Sequence, residues 1–533
     1  MLYAKVAVGL PVAGPFDYAV EKDLQQKIRP GCRVWVPWRS QKKIGYVVGL
    51  SKKTSVRKVK PVTSVIDSFP VLSKDMLLLT KKLSGYYCCS RGQAIETSLP
   101  QALRKGRILP EWPVSINLRA GSAAVKQPDL LIHDLDGQAR WDNYIKEIKE
   151  TLSCNQSVIL LFPDKRLVLK AAEIISSRVK ARLAVLCRDG SATLQEWLRI
   201  KEGKVDIVVG SRSAIFAPLN NLGLVIIDQE HSPAYKQDQV PHYHACEIAL
   251  MRVKIQKARL ILASTSVSLE SFYLAKKSRL EYLRIERRKN YPELKISDIR
   301  HMPESQRRSG NTVLSKYLQD LIALSLEAKD KVLLFLNRKG FATFASCISC
   351  GVSLKCPRCS VNLVYYFKDN LLKCHYCNFK LEPPKICPNC NAGYIKYSGV
   401  GTEKIESELA RIYPQARIKL LDRQECADAR EADIFISSEG LLGEANYNFG
   451  LVGILFIDNS LNRVDFRAGE KTFQILSNIL TLTDKKVLIQ TRLAGHYIFT
   501  ALGYHATNLM RRAGQDFKRG RGKLRAPQEY DIH

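Results

Sequence analysis

Two rhythms of apolar residues run along this chain. Over the first hundred residues, short β-branched runs at 5–10, 33–37 and 44–50 alternate with Gly14-Pro15 and Pro30-Gly31, which read as turns. That pattern predicts a small β-rich domain over 1–102. From 129 onward the runs become continuous, as strands buried on both faces require, at 129–132, 157–162, 206–210, 222–227 and 259–263. A second set follows at 331–337, 433–437, 451–458 and 486–491. Helical stretches separate the runs, so the fold class is α/β. Two parallel-sheet lobes are expected, at 129–300 and 311–500. Residues 103–128 carry Pro, Gly and Arg without a period and read as a linker.

Composition narrows what such a chain can do. Its 533 residues suggest three to five domains, and 46% hydrophobic content is ample for several cores. No apolar run reaches the length of a membrane span. Lys and Arg number 83 against 51 Asp and Glu, a net of +32 that calls for an anionic partner. Nucleic acid, bound in a salt-sensitive way, is the commonest one, and a generally basic proteome or a membrane surface is the competing reading. Lys52, Lys53, Arg57, Lys58 and Lys60 form a basic loop with no acid among them. Arg511, Arg512, Lys518, Arg519, Arg521, Lys523 and Arg525 lie among glycines within 501–533, a pattern expected of a phosphate-binding tail.

The densest chemistry sits inside the second lobe. Four Cys-x-x-Cys pairs occur at Cys347/Cys350, Cys356/Cys359, Cys374/Cys377 and Cys387/Cys390. Each pair offers two thiolates to one tetrahedral zinc, so eight sulfurs fill two closed structural sites. Five residues separate the first pair from the second, too few to wrap comfortably round one ion, whereas 14 separate the second from the third. Nested pairing follows as the favoured arrangement: Cys356, Cys359, Cys374 and Cys377 on one zinc, Cys347, Cys350, Cys387 and Cys390 on the other. An interleaved scheme, first pair with third and second with fourth, satisfies the same count. With no secretory signal at the start and the other cysteines scattered, thiolates are expected rather than disulfides.

In the first lobe, the run at 222–227 ends in Asp228-Gln229-Glu230-His231. An acid at the carboxyl end of a parallel strand is where Mg²⁺ and nucleotides usually bind. Gln229, however, is an amide and takes no proton from water. One strand earlier, where a phosphate-cradling loop belongs, stands Asp134-Leu135-Asp136-Gly137-Gln138-Ala139-Arg140-Trp141. Only Gly137 suits a nest; two Asp repel phosphate, and Trp141 has no hydroxyl for Mg²⁺. Read alone, this loop makes no case for ATP.

Further strings complete a pattern. They are Phe16-Asp17-Tyr18, Gly31-Cys32-Arg33-Val34, Gly210-Ser211-Arg212-Ser213-Ala214-Ile215-Phe216-Ala217-Pro218, and Tyr235-Lys236-Gln237 with Tyr243-His244-Ala245. After them come Ser268-Leu269-Glu270-Ser271, Phe335-Leu336-Asn337-Arg338-Lys339-Gly340, Gly399-Val400-Gly401-Thr402-Glu403 and Asp465-Phe466-Arg467-Ala468. In this order, with this cysteine insertion, the chain resembles the PriA family of primosomal replication-restart helicases.

The resemblance implies two RecA-like lobes, the second carrying a two-zinc insertion at 346–396 with nested pairing. It implies a front domain that holds the 3′ end of a nascent strand, with Asp17 in its pocket and Lys60 on its basic loop, although Arg39 replaces a pocket glycine. Tyr235, Lys236, Tyr243 and His244 map to an aromatic-rich loop suited to stacking on single strands. Branched and single-stranded DNA, other primosome proteins, a helicase loader or replicative helicase, and single-strand binding protein are the implied partners. A cytoplasmic, nucleoid-associated setting in a bacterium is implied with them.

The departures from the family carry equal weight. The family's phosphate loop, Gly-x-x-Gly-Ser-Gly-Lys-Thr, is almost wholly lost, with Arg140 at the Lys position. Gln229 replaces the water-activating Glu of Asp-Glu-Glu-His, and Gly-Ser-Ala-Thr has become Ala263-Ser264-Thr265-Ser266. Gly-Thr-Gln-Met is Ser437-Ser438-Glu439-Gly440, and Leu482 and Lys485 stand at two arginine positions. The family's winged-helix and C-terminal domains map to the linker and the tail. Those lost parts supply most of phosphoryl-transfer catalysis, so the expectation is fork binding without an ATP-driven motor. Two rivals remain: a working 3′–5′ helicase whose ATP contacts are Arg140, Asp228 and Glu230, and a protein-binding zinc scaffold.

Overall fold

The structure is a computed structural model that describes residues 1–109, 127–187, 191–287, 290–301, 314–336 and most of 344–503. The expected linker, most of it, and nearly all of the basic tail lie outside these residues. Two compact units divide the chain, Met1–Arg287 and Arg288–His533.

The first unit opens with an antiparallel five-stranded sheet in the order Phe16–Val20, Leu2–Val8, Gln41–Ser51, Arg33–Trp38, Ser64–Val65. Alternation sends Ala4, Val6, Val8, Val34, Val36 and Val47 into one small core. Three helices complete the β-rich front region: Lys74–Tyr86, Arg91–Thr97 and Gln101–Arg104. Ser73 caps the first of these, and Ser90 with Gln93 forms a capping box on the second. The buried Arg33 guanidinium ties sheet to helices, donating to Asp67 at 2.5 and 2.9 Å and to the carbonyls of Leu103 and Arg107.

A seven-stranded parallel sheet follows, ordered Glu281–Ile285, Leu130–Asp134, Arg259–Ser264, Leu222–Asp228, Ser157–Leu161, Ile207–Gly210, Leu183–Leu186. The front helices share its core: Leu79, Leu83 and Leu103 lie in one continuous cluster with Ile215, Tyr243 and Ile248. Residues 1–102 and 129–287 pack against one another within the first unit. His244 N–H donates to the Tyr87 hydroxyl at 2.9 Å, and Gln256 donates to Asp75 at 3.3 Å, across this junction.

The second unit holds a six-stranded parallel sheet, ordered Glu293–Asp298, Lys486–Thr491, Leu451–Leu455, Val332–Leu336, Ile434–Ser438, Ile418–Leu421. Its edge strand Glu293–Asp298 pairs with Lys486–Thr491, which moves the expected lobe boundary from 300 to before 293. The cysteine segment is inserted after Val332–Leu336, as two small antiparallel sheets. Among the described residues, no helix is long and apolar enough to cross a membrane.

Candidate functional site

Three places collect the residues that the sequence singles out. On the front sheet, Asp17 sits half-buried in the strand Phe16–Val20 and accepts from Thr54 Oγ1 at 2.6 Å. The Lys60 carbonyl accepts from Ala19 N–H at 3.0 Å, so the basic loop is fastened at both ends beside Asp17. Lys52, Lys53, Arg57, Lys58 and Lys60 are exposed along it. Arg39 holds φ +54°, a left-handed conformation that glycine adopts at no steric cost.

The second place is the carboxyl edge of the first parallel sheet. Asp134 and Asp228 end two strands that flank Arg259–Ser264. Asp134 turns back on its own loop, accepting from Asp136 N–H and Arg140 N–H, each at 3.1 Å. Arg140, first residue of the helix Arg140–Ser153, is buried. Its Nε and Nη2 reach Asp228 at 2.5 and 3.2 Å; its Nη1 reaches Asp134 at 3.2 Å and the Gly137 carbonyl at 2.5 Å. Tyr144 donates to Asp228 at 2.7 Å. Burial opposes the guanidinium charge, but Asp228, Tyr144 and Asp134 outweigh it and hold the pKa above its ordinary value. Trp141 lies flat on Phe162, ring centroids 5.9 Å apart.

The rest of the acid tetrad is committed elsewhere. Gln229 adopts φ +50°. Glu230 accepts from Ser268 N–H, Ser268 Oγ and Ser271 Oγ at 2.6–2.9 Å, which anchors the helix Leu269–Lys276; burial pushes its carboxyl up despite these donors. His231 Nδ1 lies 2.6 Å from Ser264 Oγ, and burial lowers its pKa to about 4.

The aromatic loop corrects an expectation. Tyr235 is 0% exposed and Tyr243 2% exposed, so neither offers a ring face to a base. The Tyr235 hydroxyl donates to the carbonyls of Asp228 at 2.6 Å and Leu161 at 3.0 Å, and Tyr243 packs on Phe216. Both rings serve the fold, buried in the core that the parallel sheet shares with the front helices. Lys236 stays exposed, its ammonium 5.5 Å from the Tyr87 ring.

The third place is the cysteine insertion. Cys350, Cys387 and Cys390 form one group of sulfurs, and Cys356, Cys374 and Cys377 another. This partition is the nested one; the side chains of Cys347 and Cys359 lie outside the described residues. Sulfurs approach to 3.7 Å (Cys350–Cys387) and 3.6 Å (Cys356–Cys377). A tetrahedral zinc holding sulfurs at about 2.3 Å sets their separation at about 3.8 Å, so each group fits that ion. Asn389 adds N–H donors to Cys387 and Cys350 sulfurs at 3.4 and 3.6 Å, the support that thiolate ligands need.

Comparisons with known proteins bear on all three places. The 3′DNA-binding domain of PriA matches residues 5–100, and the Cys-rich region of PriA DNA helicase matches 356–380. The replication restart protein PriA of Bacillus subtilis is 32% identical over 391 residues, 69% of this chain. That of Treponema pallidum is 29% identical over 510 residues, 87% of this chain and 76% of its own length. The chain belongs to the PriA family. It spans about half of the Bacillus protein, 48%. Among solved structures, RecG bound to a three-way DNA junction aligns at 11% identity with a TM-score of 0.38, over 74% of this chain and 43% of that one.

Against the PriA motifs, the first-lobe geometry takes on meaning. The backbone N–H groups of Asp136 and Arg140 are taken by Asp134, and the Asp228 carboxylate is taken by Arg140. At the two PriA arginine positions of the second lobe, Leu482 is buried in the core and Lys485 is paired with Asp330 at 2.7 Å. That Arg140 binds both Asp134 and Asp228 is visible only in the fold.

Proposed function

We propose that this chain is a replication-restart component that binds stalled forks and single-stranded DNA and helps to load the replicative helicase, without hydrolysing ATP. One observation carries the second half of this reading: the Arg140 guanidinium lies between Asp134 and Asp228, where a triphosphate and its Mg²⁺ would need to go. Admitting a nucleotide would mean breaking a buried ion cluster and leaving two carboxylates facing phosphate. Lys485 and Leu482 supply no free cation for transition-state charge.

The fork-binding half rests on the 3′DNA-binding match, on the basic loop fastened beside Asp17, and on the net charge of +32. In this reading, residues 1–102 hold the 3′ end through Asp17 and Lys60, and the two nested zinc sites build a docking platform for primosome proteins, the helicase loader and single-strand binding protein. Nucleoid association in the cytoplasm follows from the DNA it binds.

Isothermal titration of ATP and a non-hydrolysable analogue into the protein with fork DNA tests the motor. No heat of nucleotide binding and no DNA-stimulated phosphate release are expected. Hydrolysis that Asp228→Asn abolishes would overturn the reading and restore the helicase. Gel shifts with forked against blunt duplex test the other half, which fails if the fork is not preferred.

A further inference from the structure

The helix Leu269–Lys276 carries apolar side chains on its outer face as well as its inner one. Its inner face carries Ser271 and the partly buried Leu274 and Ala275, while Leu269 (64% exposed), Phe272 (36%) and Tyr273 (59%) face solvent. The last three share one stripe, spaced three and four residues apart. Beside them runs Glu281–Ile285, an edge strand of the seven-stranded sheet. Leu283 and Ile285 pack inward there, so Tyr282 and Arg284 fall on the opposite face. Tyr282 meets Phe272 edge-to-face, centroids 5.9 Å apart, and its hydroxyl lies 2.7 Å from His133 Nδ1 on the neighbouring strand. Two ammonium groups lie over the rings: Lys276 5.5 Å from Phe272 and Lys277 5.6 Å from Tyr273.

We propose that Phe272, Tyr273 and Tyr282, with Lys276 and Lys277, form a second nucleic-acid surface that stacks the bases of a single strand. Exposed rings pinned by their neighbours and flanked by cations are what sequence-independent binding of a single strand needs. A protein partner is less well matched, because lysine is depleted at the centres of protein interfaces. Charge agrees: Lys276, Lys277, Arg279, Arg284 and Arg287 stand against Glu270, Glu281 and Glu286, and Glu286 is paired with Arg284 at 3.1 Å. The surface is distinct from the front-domain edge, and its assignment rests on the reading of the chain as a DNA-binding protein.

A closed circle of oligo(dT) has no 3′ end, so it bypasses end recognition, and comparing variants of this surface with the wild type on it isolates the surface's contribution. Wild-type protein is expected to bind the circle. Phe272→Ala/Tyr273→Ala should weaken that binding about tenfold or more, since two stacking platforms are lost. Tyr273→Trp should preserve it. Lys276→Gln/Lys277→Gln should reduce the slope of log K against log salt by about 1.4. A wild-type protein that ignores the circle overturns the proposal, as does a double variant of unchanged melting temperature that binds it normally. If the double variant instead loses only a protein ligand, the face is a protein-docking site and the proposal also falls. Failure of the fork-binding reading is separate: the wild type would then show no preference for a fork with a free 3′ end.

Discussion

Replacing Arg140 with alanine should be among the most damaging single changes in the first lobe. The guanidinium makes contacts of 2.5–3.2 Å to Asp228, Asp134 and the Gly137 carbonyl, with both acids and the arginine buried. Truncation leaves two carboxylates in a dry site with no cation, which typically costs about 3–5 kcal/mol. With a urea slope of about 2 kcal/mol/M, the unfolding midpoint should fall by about 2 M. Arg182 provides the control: it pairs with Asp206 through bonds of 2.7 and 2.9 Å, but at the surface, with side chains 42% and 20% exposed. Arg182→Ala should therefore cost less than about 1 kcal/mol. Urea titration followed by tryptophan fluorescence suits the comparison, because Trp141 adjoins Arg140 and stacks on Phe162. Equal costs for the two variants would refute the claim that the Arg140 cluster is a dry keystone replacing the nucleotide.

Other consequences can be checked separately. Burial lowers the His231 pKa to about 4, below its unfolded value near 6.5, so stability should fall as pH drops from about 6.5 to about 4 and be unaffected above that window. His231→Gln should remove up to about 3 kcal/mol of this pH dependence; a variant with the same acid slope as the wild type would contradict the assignment. Tyr235→Phe strips the donor from two buried carbonyls and should destabilise by about 1–3 kcal/mol with no change in affinity for single strands, whereas weakened DNA binding at full stability would return Tyr235 to the interface. Zinc analysis of Cys350→Ser, Cys390→Ser and the double variant should each show one ion lost of two, while Cys350→Ser/Cys377→Ser should lose both. Retention of one ion by that last variant would argue against nested pairing.

Much of this protein is written locally. Buried parallel strands need continuous apolar runs, and 157–161, 207–210 and 222–228 are such runs, so composition alone identifies them. Cys-x-x-Cys spacing is likewise a short-range property, and the absence of a phosphate loop between Asp134 and Trp141 is legible in eight consecutive residues. The edge strands were not: Leu183–Leu186 is only four residues long, and Glu281–Ile285, Glu293–Asp298 and Ile418–Leu421 mix charged residues into their runs. Nor was the burial of Tyr235 and Tyr243, since a Tyr-Lys-Gln string looks the same on a surface loop or under a helix. Arg140 is the clearest case. Its partner Asp228 lies 88 positions away, and only sheet order brings the ends of Leu130–Asp134 and Leu222–Asp228 close enough for one guanidinium to span them. Apolar pattern and ligand spacing are properties of neighbours in the chain, whereas charge pairing in a dry cleft is a property of strands assembled side by side.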